Sequence, residues 1–353
     1  MHTQKDVAKR AGVSQAIVSY VLNGSNYVGK KKREAVLKAI EELDYHPNYT
    51  AKSLRTKKTR NLVVLTWDAR TELYSDIIYY LELLAYERGY FIFVTSISTR
   101  EKALDYFGTL MSQKYDGIFL TTNIYNEGQL SKLANTGIPI VLFQHTEFEA
   151  LDPAVSVLRP PIYQYSRMAV DYLIEQKKHS RIGYLTFGNP VDAGEPGPYG
   201  RGYRINGYLD SMRSHNLQII HEWVVHLDAQ EESEDLSESI KGVAQRYLST
   251  PTEERPTAFF TGLDTIAAAL ITEMNAIGVR IPEELEVIGF GNSFSSRICN
   301  PTLTTIDLDC KLAAQHMLEM LINMSEGEPS ELRTMPLQLI LRGSAYSVKT
   351  SVP

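Results

Sequence analysis

The chain has 353 residues, 43% of them hydrophobic, and a formal net charge of −6, enough for two or three domains with cores of their own. No apolar run approaches the ~20 residues that span a bilayer, and the N-terminus lacks the apolar stretch of a secretory signal, so a cytoplasmic location and no membrane partner are expected. The two cysteines, Cys299 and Cys310, stand in no metal-ligand spacing, and HExxH, GxSxG and paired CxxC are missing, so no metal, cofactor or enzymatic nucleophile is expected.

The first elements in chain order are short helices. Thr3-x-x-Asp6 has the form of a capping box and predicts a helix start. Val7, Ala8 and Ala11 make one apolar stripe, and Val18, Val21 and Leu22 make a second. Between them lies Gly12-Val13-Ser14, where the glycine can end one helix in the left-handed region and Ser14 can cap the next. Two helices joined by a three-residue turn make a helix-turn-helix. Packing the second stripe against the first helix leaves Gln15, Ala16, Ser19 and Tyr20 outside, the face that such a motif offers to the DNA major groove. A helical hairpin within a larger fold is the alternative. Charge weighs against it: residues 1–60 hold 13 Lys/Arg against 5 acids, a net +8 that leaves −14 on the remainder. A basic head on an acidic body is the footprint of a DNA-binding module joined to a part that avoids DNA.

A third helix is predicted from Lys30 to Leu43, with Val36, Leu37, Ile40 and Leu43 closing a three-helix head. Its first turn carries Lys30, Lys31, Lys32 and Arg33, where cations oppose the helix dipole. Phosphates would offset that cost; a solvated charged turn is the other reading. Pro47 marks a boundary, and Asn48 can cap a helix of about two turns ending at Leu54. So short a helix is unstable alone, so residues 47–60 are expected to fold only on binding.

From Asn61 the pattern changes. Apolar runs LVVL, YFIFVTS, DGIFLTT and IPIVLFQ alternate with helical patterns at 73–88, 101–114 and 126–135. After about residue 160 a second series follows. It has helices at 163–177, 202–215, 236–248, 265–277 and 311–324, and strands at RIGYLTF, WVVHL, TAFFTG, LEVIGF, LTTIDL and PLQLILRG. The fold expected is an all-α head (1–46), a hinge (47–60) and an α/β core (61–353) of two doubly wound parallel-sheet subdomains. Such sheets bind ligands beyond the carboxyl ends of their strands. The Gly/Pro-rich loop 188–202 lacks the GxGxxG arrangement after a strand and reads as a rim of that cleft.

The stretches KDVAKRAGVS, VSYVLNGSNYV, AVLKAIEELDYHPNYTAKSLRTKKTRNL, DGIFLTT, IPIVLFQ, RIGYLTF, VIGFGN and NPTLTTID together resemble the lactose- and galactose-repressor family, from residue 3 almost to the end. The resemblance implies a dimeric transcriptional regulator whose core is like periplasmic sugar-binding proteins, with an effector between its halves. It places Gln15, Ala16 and Tyr20 at base-reading positions, with Gln15 suited to adenine and Ala16 and Ile17 to thymine methyls. Ser14, Ser19 and Asn23 become phosphate contacts, Thr3, Lys30 and Asn48 join the DNA-contacting set, and Leu54 is the wedge that kinks the duplex. Tyr20 departs from a frequent arginine and cannot make its two-toothed bond to guanine. Gly29 and the lysines also depart, since a serine cap and acids are usual there.

For the cleft, the resemblance implies Tyr74 as a lining aromatic and Arg204 as the ligand's grip, with Gln144 and Asp264 as further polar contacts. Leu263 replaces a frequent asparagine and Gly291 a frequent aspartate. The effector is therefore a sugar or sugar derivative, a less hydroxylated molecule, an anion held by Arg204, or absent. An activator, or a regulator served by a protein corepressor with a vestigial pocket, stays open beside the effector-controlled repressor. A plain solute-binding protein and an enzyme are disfavoured by the basic head and the missing motifs. Nine residues without a leucine heptad follow PLQLILRGS, so a homodimer on a near-palindromic double-stranded operator is expected rather than a coiled-coil tetramer.

Overall fold

The computed structural model describes residues 2–22, 25, 27–46, 58–97, 99–122, 124–144, 151–188, 201–227 and 234–345. The chain divides into two compact units, Met1–Thr59 and Arg60–Pro353. The predicted hinge helix with Asn48 and Leu54, the phosphate contact Asn23 and most of the 188–202 loop lie outside the described residues.

The first unit holds α1 (Gln4–Ala11), α2 (Gln15–Leu22) and α3 (Lys30–Glu42). The Thr3 side chain accepts the Asp6 N–H, while the Asp6 carboxylate accepts the Thr3 N–H at 2.8 Å, completing the capping box. Gly12 ends α1 at φ +65°, and its N–H donates to the carbonyls of Ala8 and Lys9. The Ser14 hydroxyl accepts the Ile17 N–H at 3.4 Å and starts α2. Val7, Ala8, Val18, Val21, Val28, Val36, Ala39 and Tyr45 form the core. Leu37 is a correction: it is 53% exposed, because it is turned about 100° from Val36 on the helix, and Ala39 fills the inner face instead.

The second unit contains two six-stranded sheets. The first is ordered β11-β5-β4-β3-β1-β2, with β1 Asn61–Thr66, β2 Phe91–Ser96, β3 Gly117–Leu120, β4 Ile140–Phe143, β5 Val155–Arg159 and β11 Leu332–Thr334. All its pairings are parallel. Its helices are α4 (Glu72–Glu87), α5 (Arg100–Ser112) and α6 (Glu127–Ala134). The second is ordered β12-β10-β9-β8-β6-β7, with β6 Ile182–Phe187, β7 Val224–Leu227, β8 Ala258–Thr261, β9 Glu286–Gly291, β10 Thr304–Asp307 and β12 Gln338–Ile340. Around it run α7 (Ile162–Asp171), α8 (Arg201–Ser214), α9 (Glu234–Ser249), α10 (Asp264–Ala276) and the short α11 (Phe294–Ile298). Helix α12 (Cys310–Ser325) follows β10 but packs on β3, β4 and β5, back in the first lobe.

Three elements were not expected. β5 is framed by prolines in DPAVSVLRPP, β11 has three residues, and α11 has five, each too short for a periodic signal. PLQLILRG is shorter than predicted and runs antiparallel to β10, since the chain reaches it by returning from β11 rather than through a helix. The first sheet is not covered throughout either: on the edge strand β2, Phe91, Phe93 and Val94 are exposed.

Just past the end of α8, His215 is held through both ring nitrogens. Nδ1 lies 3.0 Å from the Ser211 carbonyl oxygen and Nε2 lies 3.1 Å from the Glu175 carboxylate. Two acceptors demand two N–H donors, so these hydrogen bonds and the nearby Asp171 raise its pKa above 6.5. A raised folded value stabilises the protein most at low pH. The thermal-stability advantage of the wild type over His215→Gln should therefore be full below about pH 6 and shrink as pH rises through the raised value; an advantage that grows with pH would refute the assignment.

Candidate functional site

On the head, Gln15, Ala16 and Tyr20 project from one side of α2 and are exposed, as are Thr3, Ser14 and Lys30. Ser19 is half-buried. Ile17 is half-buried as well and packs onto the head core, leaving Ala16 as the methyl-sized contact on the outer face. Tyr20, at 46% exposure, is paired edge-on with Tyr27, whose ring lies 6.1 Å away and is 88% exposed. Tyr27 is positioned from below. Its N–H donates to the Ser25 hydroxyl, and Arg33 of α3 grips the Ser25 carbonyl at 2.5 Å. The sequence reading missed Tyr27; an aromatic beside a lysine cluster was its signal. The N-terminus of α3 has no side-chain cap at Gly29, and three lysines crowd that end. The head thus presents Gln15, Ala16, two tyrosines and three lysines on exposed positions.

In the second unit, a cavity opens where the carboxyl ends of the two sheets meet. Thr71, Glu72 and Leu73 line it from the first lobe, and Phe187, Leu263, Asp264, Thr265, Phe290, Gly291 and Ser293 from the second. Its free interior of about 20 Å³ admits little more than a water molecule. The expected cleft residues fall in three places. Asp264 is in the wall. Arg204 is 2% exposed and stacks its guanidinium 4.4 Å from the centre of the Phe290 ring, so it supports the wall through that ring. Tyr74 is buried with Ile77 and Leu81 in the apolar core and is not among the residues lining the cavity, whereas its neighbour Leu73 is. Gln144 is buried at the end of β4 and donates to the Thr122 carbonyl at 2.9 Å.

Around Gln144 lies the feature that sequence reasoning passed over. Its Oε1 and the hydroxyls of Thr66, Thr121 and Thr122 are buried without a hydrogen-bond partner among the described residues. Thr66 ends β1, Thr121 and Thr122 follow β3, and Gln144 follows β4, three neighbouring strands. An unmet buried polar group costs about 1–3 kcal/mol, so native proteins seldom keep several together without a ligand or water to satisfy them. The signal was legible as threonines and a glutamine closing otherwise apolar strands.

Asp264 accepts the Ser293 N–H at 2.8 Å and the Thr305 hydroxyl at 2.5 Å. Burial nonetheless dominates, pushing its pKa up to about 6. Gly289 is obligatory beneath it, since a Cβ there would lie 2.2 Å from the Asp264 carboxylate. A carboxyl with a raised folded pKa favours the fold while protonated and withdraws that support as pH climbs from 3.8 to about 6. The stability of the wild type relative to Asp264→Asn should fall across that window in paired thermal melts; a rise would show the carboxylate to be stabilised rather than strained by its site.

Known proteins resemble this chain over its whole length. Residues 3–48 match the model of bacterial regulatory proteins of the lacI family, and residues 170–345 match a periplasmic binding protein-like domain. The HTH-type transcriptional repressor PurR of Escherichia coli O139:H28 is 31% identical over 353 residues, covering 98% of this chain and 97% of that one. The repressor of the same name from Proteus mirabilis is 29% identical over 95% of this chain and 94% of its own length. Among solved structures, the lac repressor dimer bound to operator and an anti-inducer covers 98% of this chain and 99% of its own at 22% identity and a TM-score of 0.76. A complex of the regulator CelR with cellobiose covers 98% and 100% at a TM-score of 0.66 and 22% identity, a likeness of fold. With a DNA-reading head, a two-lobed α/β body and this full-length similarity, the chain belongs to the lacI family of bacterial regulatory proteins.

Proposed function

We propose that the protein is a sequence-specific transcriptional repressor whose operator affinity is set by a small polar effector in the core cleft, and that it is not an enzyme. The exposed face of α2 carries the DNA reading, with Gln15 and Ala16 directed at base edges and Tyr20 replacing the arginine that would grip guanine. Tyr27 extends that surface. Ser14, Ser19, Thr3 and Lys30 serve the backbone, and Asn23, Asn48 and Leu54 keep the roles the family resemblance implies. The relatives named as repressors support this sign of regulation over activation.

The observation that carries the effector reading is the row of polar groups at Thr66, Thr121, Thr122 and Gln144, unmet among the described residues, at the carboxyl ends of β1, β3 and β4. It calls for a ligand rich in hydroxyl or amide groups. The cavity wall holds two carboxylates, Glu72 and Asp264, and neither lysine nor arginine among its lining residues. An anion is therefore disfavoured and a neutral or cationic molecule preferred, with sugars and their amino derivatives the leading class.

Two copies would meet through an apolar face. Tyr79, Leu83 and Tyr86 on α4 and Phe91, Phe93 and Val94 on the edge strand β2 are all exposed, and an uncovered apolar edge strand invites pairing. A homodimer presents two heads to a near-palindromic operator.

Binding-site selection with the full chain should yield such an operator. Gln15→Ala should then cost roughly 1–3 kcal/mol and relax preference at one base pair per half-site. Lys30→Ala should weaken all sequences alike and reduce the salt slope by about one. Failure to enrich any sequence would refute the DNA-reading assignment. For the cleft, thermal melts against glucose, glucosamine and glucose 6-phosphate, extended to other neutral sugars, should show stabilisation by uncharged or amino compounds and none by phosphates. Gln144→Leu should abolish that stabilisation. Stabilisation by the phosphates instead would restore Arg204 as an anion grip.

A further inference from the structure

Tyr20 and Tyr27 are large aromatic residues that take no part in the head core. Tyr27 is 88% exposed and Tyr20 46%, and among the described residues of the head only Leu37 is a comparably exposed large hydrophobic side chain. The two rings meet edge-on, with centres 6.1 Å apart and planes at 64°, so each fixes the orientation of the other. The backbone beneath them is tied at three points. The Ser25 N–H donates to the Tyr20 carbonyl at 3.0 Å, the Tyr27 N–H to the Ser25 hydroxyl at 3.3 Å, and Arg33 to the Ser25 carbonyl at 2.5 Å. Val21 and Val28, the next residues along, are buried in the head core, which leaves both rings outside. Tyr20 stands one turn beyond Ala16 on α2, and the two share a face. Three residues after Tyr27 come Lys30, Lys31 and Lys32, exposed at the start of α3, where Gly29 provides no side-chain cap. Phosphates bound at that end would bring the adjoining groove against the rings.

We propose that Tyr20 and Tyr27 together read the 5-methyl group of one thymine in each operator half-site. This assignment rests on reading the outer face of α2 as the base-contacting surface. A tyrosine has a single hydroxyl and cannot match two groups on a purine edge as arginine or glutamine does. Two crossed rings instead form an apolar notch, with the face of one ring on one side and the edge of the other beside it. Thymine is the base with an apolar group on its major-groove edge, its C5 methyl. The donors and acceptors that the other bases present there would be left unsatisfied against the notch. Ala16 supplies a separate methyl-sized contact, so an apolar row runs beside Gln15 along the reading face. The pair therefore moves the choice at its base pair toward T·A. A cytosine bearing the same methyl at C5 is accepted where plain cytosine is not.

The test uses the full-length chain and an operator obtained by binding-site selection. Each thymine of one half-site is replaced in turn by uracil, which differs only in lacking the methyl group. At one thymine the replacement should weaken wild-type binding about fourfold, the effect of one buried methyl, and the loss should vanish in Tyr27→Ala and Tyr20→Ala. Both variants should keep any loss at a thymine that Ala16 meets. Tyr27 is almost wholly exposed, so its replacement leaves the head core intact. Tyr20→Phe and Tyr27→Phe keep the rings and should discriminate thymine from uracil as wild type does. At the same position cytosine should weaken wild-type binding, and 5-methylcytosine should recover part of it. Uracil losses that persist unchanged in Tyr27→Ala would overturn the pair as a methyl reader while leaving the repressor reading in place. Discrimination lost in the phenylalanine variants would assign the role to the hydroxyls and overturn it equally. A wild-type chain that selects no operator would overturn the DNA reading itself, and the pair with it.

Discussion

Parallel strands can be joined only through crossovers that return outside the sheet, and the body of this protein is arranged by that constraint. Every parallel strand ends at the same edge of its sheet, so the chain must leave there, and its loops and helix starts collect at that edge. With two such sheets in one chain, the edges come together and enclose a small space whose walls are the ends of β6, β8 and β9 and the start of α4. Buried backbone is satisfied within the sheets; the side chains that close the strands have no such provision. At those ends the hydroxyls of Thr66, Thr121 and Thr122 and the Gln144 side-chain oxygen lack a hydrogen-bond partner among the described residues, and a carboxylate from the opposite lobe satisfies other groups.

The cleft therefore has a division of labour. Asp264 faces inward and holds its own lobe, bonding the turn after β9 and the strand β10 at the cost of a carboxylate that burial makes reluctant to ionise. Glu72 faces across and holds the lobes to each other. Arg204 buttresses the aromatic wall through Phe290. An arginine and an aspartate named for a ligand thus support the cleft, while the polar rim of the first lobe and one glutamate offer the sharper prospects for recognition.

The head works by a different economy. With only three short helices, it relies on local devices: a reciprocal cap at Thr3 and Asp6, a left-handed glycine at position 12, and a serine cap at position 14. These leave the outer side of α2 free of structural duties. Tyr20 stands where the family often has arginine, and its contact with Tyr27 supplies the orientation that a flexible cation would not need.

Local patterns therefore carried much of this protein. The caps and turn of the head, the basic-to-acidic change near residue 60, and the alternation of strand and helix each depend on residues within a few positions of one another, and a linear reading captures them. Leu37 and the antiparallel β12 show where that reading ends. Whether an apolar residue faces core, cavity or solvent depends on a few tens of degrees of helix rotation, and strand direction depends on how the chain returns from a distant element. The bond from Glu72 to Ser295 joins residues 223 positions apart. No local propensity marks it, because its energy exists only once two separately built sheets have brought their carboxyl ends together.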